Sequence, residues 1–152
     1  MHVRTMSAAE CDALLERVRL GRLACSMDGK PYVVPFHFAY ADGRLYAFSL
    51  PGKKIDIMRS NPQVCVLIEE PGTDRDWKSV VVDGFFEELE DRIGSKHLRE
   101  RAWSLLSKHA EWWEPGAQKP ATGSEGPRHG PVFFSIHIEQ LSGREARDTK
   151  MR

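Results

Sequence analysis

Apolar residues recur at every second position over much of this chain, in short runs broken by glycine, proline and aspartate, which is the period of half-buried strands. Between residues 31 and 40, Tyr32, Val34, Phe36, Phe38 and Tyr40 fall on one face and Val33, Pro35, His37 and Ala39 on the other. Leu23, Cys25 and Met27 alternate in the same way before an Asp28-Gly29 turn, so the two runs predict a hairpin. RLYAFSL, residues 44–50, predicts a third strand after the Ala41-Asp42-Gly43 turn. QVCVLIEE, residues 63–70, is a nearly continuous apolar run suited to a central strand. KSVVVDGFFEELE, residues 78–90, predicts a long strand with Gly84 in mid-run, where a bulge or sharp bend is expected. PVFFSIHI, residues 131–138, is the last strand.

Three segments change to the helical period. Residues 7–19 open with Ser7 and Glu10 at capping-box spacing and carry Cys11, Leu14, Leu15 and Val18 on one face, before Gly21 breaks the pattern. A short helix begins around Gly52, Lys53 and Lys54, with Pro51 suited to its first position, Ile55 and Met58 at helical spacing and Asn61-Pro62 as its stop. Residues 91–110 predict a third helix, capped by Asp91 and striped by Ile93, Leu98, Ala102, Leu105 and Leu106. Trp112 and Trp113 read as packing or interface aromatics. Residues 114–130, rich in proline and glycine, read as a loop or lid, and residues 142–152 as a polar tail. Short strands with glycine and proline at their corners predict a small antiparallel barrel: a mainly β protein with flanking helices, one domain over residues 1–152.

Composition narrows the partners. Lysine plus arginine equals aspartate plus glutamate at 22 each, so no global field draws the chain to nucleic acid or to an anionic membrane. No apolar run approaches the length of a bilayer span, and the N-terminus lacks a signal-peptide core. Cys11, Cys25 and Cys65 are odd in number and sit in apolar patterns, the usage of reduced, buried thiols in a cytoplasmic protein. Neither they nor the six histidines form a metal-ligand spacing or a nucleophilic triad, and no P-loop or dinucleotide-binding glycine motif is present.

Positive charge is local instead. A helix N-terminus exposes four backbone N–H groups and a partial positive charge, so Lys53 and Lys54 beside one make a seat for a phosphate. On the strand of residues 31–40, Pro35 cannot donate a ladder hydrogen bond, which marks an edge, a bulge or an opening in the sheet. An opening beside His37 suits a flat ligand.

Gly43, Tyr46, Phe48, Lys53, Lys54, Asn61 and Pro62, followed by WKSVVVDG at residues 77–84, fall in an order that resembles the FMN-binding split-barrel proteins related to pyridoxamine 5'-phosphate oxidase, and among them the nitroimidazole-resistance-like branch. The resemblance covers roughly residues 7–145. It implies a six-stranded antiparallel split β-barrel of Greek-key type and a homodimer with two flavin sites at its interface. It implies further that Lys53 and Lys54 hold the FMN phosphate, that Phe48 and Ser49 lie near the ribityl chain, and that the isoalloxazine lies along Pro35, Phe36 and His37. Ser79 falls where the oxidases carry a flavin-contacting glutamine, with Trp77 and Lys78 beside it.

His37 takes the place of a lysine on the substrate side, where an imidazole can orient a substrate or donate a proton. Tyr32 replaces an arginine of the oxidases, and their C-terminal tryptophan and arginine motif is absent from IEQLSGREARD, so the resemblance does not extend to pyridoxal phosphate synthesis. It implies a two-electron oxidoreductase acting on a small molecule, with NAD(P)H as donor and nitroaromatic or quinone acceptors as guesses. A non-catalytic flavin or haem carrier and a deazaflavin-dependent reductase are the alternatives.

Overall fold

The computed structural model describes residues 1–90, 93–94, 96–108 and 131–148. In chain order the elements are β1 (His2–Thr5), α1 (Ala8–Arg17), β2 (Leu20–Met27), β3 (Lys30–Ala41), β4 (Arg44–Ser49), α2 (Lys53–Ser60), β5 (Gln63–Pro71), β6 (Trp77–Glu88), α3 (Lys96–Leu106) and β7 (Val132–Arg147). All pairings are antiparallel. The strand order β1-β7-β4-β3-β2-β5-β6 closes through a further β6–β7 ladder, giving a six-stranded ring to which β1 is added. This is the split barrel the residues resemble, with one strand more than expected.

Local chemistry accounts for the path. Both tight hairpins place an aspartate and a glycine at positive φ, Asp28 and Gly29 at 53° and 75°, Asp42 and Gly43 at 55° and 71°, as a two-residue turn matched to strand twist requires. At Gly84 the β6–β7 register shifts. A Cβ there would stand 2.6 Å from Ile136 and 2.7 Å from the His137 carbonyl, so only glycine permits the bend that closes the ring. The capping box of α1 forms as expected, the Ser7 hydroxyl accepting from Glu10 N–H and the Glu10 carboxylate from Ser7 N–H.

Inward-facing residues of every ring strand meet in one core, including Leu23, Phe36, Phe38, Val66, Val82, Phe134 and Ile136. Helix α1 adds Cys11, Leu14 and Leu15 to it from the end of β3 near Tyr40, whose hydroxyl donates to Asp12 at 2.9 Å. Helix α2 adds Ile55, Ile57 and Met58 from the end near Tyr32. The third helix lies outside, where Ala102 and Leu106 pack on the outward-facing Ala39, Tyr46, Phe48 and Phe133.

Four expectations need correcting. Helix α2 starts at Lys53 with Gly52 as its cap, so Pro51 precedes the helix rather than opening it. Ile93 lies before α3 and is fully exposed, because the helix begins only at Lys96; Asp91 lies outside the described residues, as do Trp112, Trp113 and the 114–130 loop. The polar tail from residue 142 is in fact ladder as far as Arg147, held between β6 and β1. Cys65 is half-buried on the outer surface of β5, whereas Cys11 and Cys25 are buried.

Candidate functional site

Strand β3 pairs with β2 from Lys30 to His37 but with β4 only from Phe38 to Ala41. From Pro31 to His37, therefore, its other edge carries no strand among the described residues. Phe38 N–H donates to the Arg19 carbonyl at 3.0 Å, so residues 32, 34 and 36 turn their ladder groups to β2 while 33, 35 and 37 turn theirs to the open edge. Pro31 and Pro35 occupy edge-facing positions, where a missing N–H breaks no ladder bond. The edge thus offers the carbonyls of Val33, Pro35 and His37 and the N–H groups of Val33 and His37.

Side chains along this edge divide by face. Phe36 is buried in the barrel against Phe38 and Phe134, with ring centroids at 5.6 and 6.4 Å. Pro35 and His37 stand on the outer surface. Phe36 therefore offers a ligand neither its ring nor its ladder groups, and its two neighbours carry the edge.

Helix α2 begins at the far end of the same edge. Its cap, Gly52, makes no side-chain capping bond, and the space where a Cβ would stand is open for 4 Å around. Lys53 reaches over the Tyr32 ring, its Nζ 4.7 Å from the centroid, a cation–π contact that holds the ammonium beside the edge. Burial pushes the Cys25 thiol's pKa up, and the half-buried Lys54 is close enough to oppose that in part. Asn61 Nδ2 donates to the Ser26 carbonyl at 2.9 Å, fixing α2 to the β2–β3 hairpin. Ser49 is buried, its hydroxyl donating to the Leu50 carbonyl at 2.8 Å, and Phe48 packs on Phe133 beneath α3 with centroids at 5.4 Å.

Trp77, Lys78 and Ser79 begin β6, three strand spacings from the open edge, or about 14 Å of sheet at roughly 4.8 Å per strand. Trp77 and Ser79 face outward. Lys78 faces the barrel end, where its charge helps hold the carboxyls of Glu70 and Glu145 below their usual range, after the larger effects of Arg17 and Arg147 hydrogen bonds. One copy of the chain thus carries Pro35 and His37 on the open edge with Lys53 over Tyr32 at its far end, sets Lys54 beside Cys25 of β2, and leaves the 77–79 segment apart.

Between the two groups the outer surface of β3, β2, β5 and β6 carries open apolar residues among polar ones: Leu20, Val33, Trp77 and Phe85 are all more than a third exposed. It holds a cleft of about 340 Å³ lined by Leu20, Arg22, Leu67, Glu69 and Trp77 among others. Sequence reading singled out Trp77 but not Arg22 or Glu69; only their outward parity on strands marks them. Among the described residues no three histidine, cysteine or carboxylate side chains are placed to hold a metal, and no helix is long and apolar enough to cross a membrane.

The closed ring and the open edge of β3 define a split-barrel protein. A sequence profile described as pyridoxamine 5'-phosphate oxidase matches residues 7–145, and the chain belongs to that family. It is 46% identical over 146 residues to the protein RA0666 of Rhizobium meliloti, covering 96% of this chain and 97% of that one. Among solved structures it resembles a FAD-binding protein from Mesorhizobium loti, at 58% identity with a TM-score of 0.80, covering 97% of this chain and 100% of the other. A structure from Bacteroides thetaiotaomicron, described as a candidate 5-nitroimidazole antibiotic resistance protein, shares the fold at 18% identity with a TM-score of 0.73, over 95% and 89% of the two chains.

Proposed function

We propose that this chain binds a flavin nucleotide along the open edge of β3 and acts as a two-electron oxidoreductase, as a homodimer with its cofactor sites at the interface. One observation carries the reading: among the described residues, a helix start at Gly52 with open space and two lysines stands at the end of a strand edge whose backbone groups meet no strand. A phosphate fits the first feature, and the imide edge of a flavin ring, with its alternating carbonyls and N–H, fits the second. FMN is the smallest flavin that meets both. FAD presents the same phosphate within its pyrophosphate, and the Mesorhizobium loti relative is named for FAD.

The bound flavin would supply hydride transfer. This chain's residues would position it: Lys53 and Lys54 at the phosphate, Pro35 and His37 backbone groups at the ring. The His37 imidazole, outward beside that edge, would orient a small substrate or hand it a proton. Exposed apolar side chains on this outer surface, Leu20, Val33, Trp77 and Phe85, support assembly, since each would lose water on meeting a partner. A second copy laid on it would bring its own 77–79 segment toward the edge that one copy leaves incomplete.

The test is the absorbance of the purified protein, with release and identification of the bound flavin and its bleaching by NAD(P)H. Lys53→Ala with Lys54→Ala is expected to weaken FMN by about a hundredfold, from two charge-assisted bonds, and riboflavin far less. Equal losses for FMN and riboflavin, or none, would remove the phosphate assignment.

A further inference from the structure

The cleft on the outer surface is built of two unlike parts. Leu20, Leu67 and Trp77 supply apolar wall and floor, and Arg22, Glu69 and Glu70 line it with charge. Arg22 pairs with Leu67 across the β2–β5 ladder, and Glu69 lies two residues further along β5, the diagonal spacing at which long side chains of opposite charge commonly meet. They form no ion pair with each other, nor with any other described residue. Arg17 takes up Glu70 with two bonds, at 2.6 and 2.9 Å, so of the two carboxylates on the cleft only the exposed Glu69 has no ion-pair partner among the described residues. The fork of one side chain and the carboxylate of the other are left facing a cavity.

That combination selects by chemistry. An anion would gain at Arg22 and be repelled at Glu69, and a cation the reverse. An uncharged planar ring carrying a carbonyl and an N–H on one amide satisfies both while its face covers Trp77. We infer that the cleft of Leu20, Arg22, Glu69 and Trp77 is a binding site for an uncharged, planar aromatic amide, Arg22 donating to its carbonyl and Glu69 accepting from its N–H. The inference rests on the flavin reading for its meaning, since Arg22 pairs with Pro35 and Leu20 with His37, one strand from the proposed ring site. The cleft is then the substrate-side pocket. A second copy over the face would roof it and exclude water from both charges.

Three probes of one shape decide it: 2-naphthamide (neutral), 2-naphthoate (anionic) and 2-naphthamidine (cationic), titrated calorimetrically into the full chain at neutral pH, with bound flavin quantified in the same samples. Wild type is expected to prefer the amide by about fivefold over either ion, the worth of one net hydrogen bond. Arg22→Ala should make the amidine the best ligand and Glu69→Gln the naphthoate. Trp77→Ala should weaken all three together. The same order of probes in wild type and both charge variants, or no binding of any, overturns the inference, the latter also being the result if a second copy's side chains fill the cleft. Probe reversal without bound flavin would uphold the cleft and sink the flavin reading; flavin without reversal would do the opposite.

Discussion

The barrel has two outer surfaces, and the chain treats them differently. On β4 and the adjoining halves of β3 and β7, the outward residues Ala39, Tyr46, Phe48 and Phe133 are apolar and buried beneath α3. On β2, β5, β6 and the other half of β3, the outward residues Leu20, Val33, Trp77 and Phe85 are apolar and open. The two are written differently: β4 is buried on both faces, whereas the outward positions of the open side mix these apolar residues with Arg22, Glu69, Ser79 and Asp83, and only the first is covered by a helix. Cover from within the chain reads as stability. Apolar residues without it read as a place for something else.

The largest expected effect is on the covered side. Phe133→Ala removes a side chain that touches Phe48, Trp103 and the Arg99 guanidinium and should cost about 3 to 5 kcal/mol of unfolding free energy, measured in urea, by lost burial and the cavity left behind. A cost under about 1 kcal/mol would mean that α3 is not integral to the fold and that the two surfaces differ less than the structure indicates.

Next is the open side, where the comparison predicts the reverse: much assembly and little intrinsic stability. Val33→Asp with Phe85→Asp places charge at two exposed positions, 59% and 39% accessible, where the folded subunit meets only solvent. Sedimentation should show the wild type as a dimer and the double variant as a monomer, since an interface of about 800 Å² per partner tolerates no unpaired buried charge. A wild-type monomer, or a variant that remains dimeric, would detach assembly from this surface.

Much of this was legible in the chain. Alternating runs, with the nearly continuous apolar run at 63–70, marked six strands of the ring, Asp-Gly pairs marked both hairpins, and Gly84 announced the bend. Strand β1 was not legible because His2, Val3, Arg4 and Thr5 are all exposed, so no side was apolar and no alternation existed to be seen. The end of β7 failed for a related reason: Arg144, Glu145 and Arg147 look like a solvated tail, yet Glu145 is buried, its charge met by Arg4 and Arg147. Lys53 and Lys54 were legible as a basic pair at a helix start. Arg22 and Glu69 were not, because strand pairing brings together residues 47 positions apart, and nothing local in either segment signals it.

The smallest predicted effect touches neither surface and serves as their control. Arg4 binds Glu10 at 2.5 Å and Glu145 at 2.6 Å, clasping β1 to α1 and β7. The Arg4 hydrogen bond holds the Glu10 carboxyl down at about 2, and the Arg147 hydrogen bond, with the charge of Arg4, holds Glu145 below its usual range. Both folded values are depressed, so the clasp stabilises fully above the ordinary carboxyl value of 4.5 and is lost as pH falls toward about 2. Amide exchange of residues 2–5, corrected for intrinsic rates, should therefore accelerate between pH 5 and pH 2.5 while Leu45, Val82 and Ile136 in the core stay protected. Arg4→Met should give the fast exchange already at pH 6 and flatten the profile. If the core amides open together with β1, acid acts on the whole barrel, and the ion pairs at its rim are not what separates a strand written in the pattern from one held only by charge.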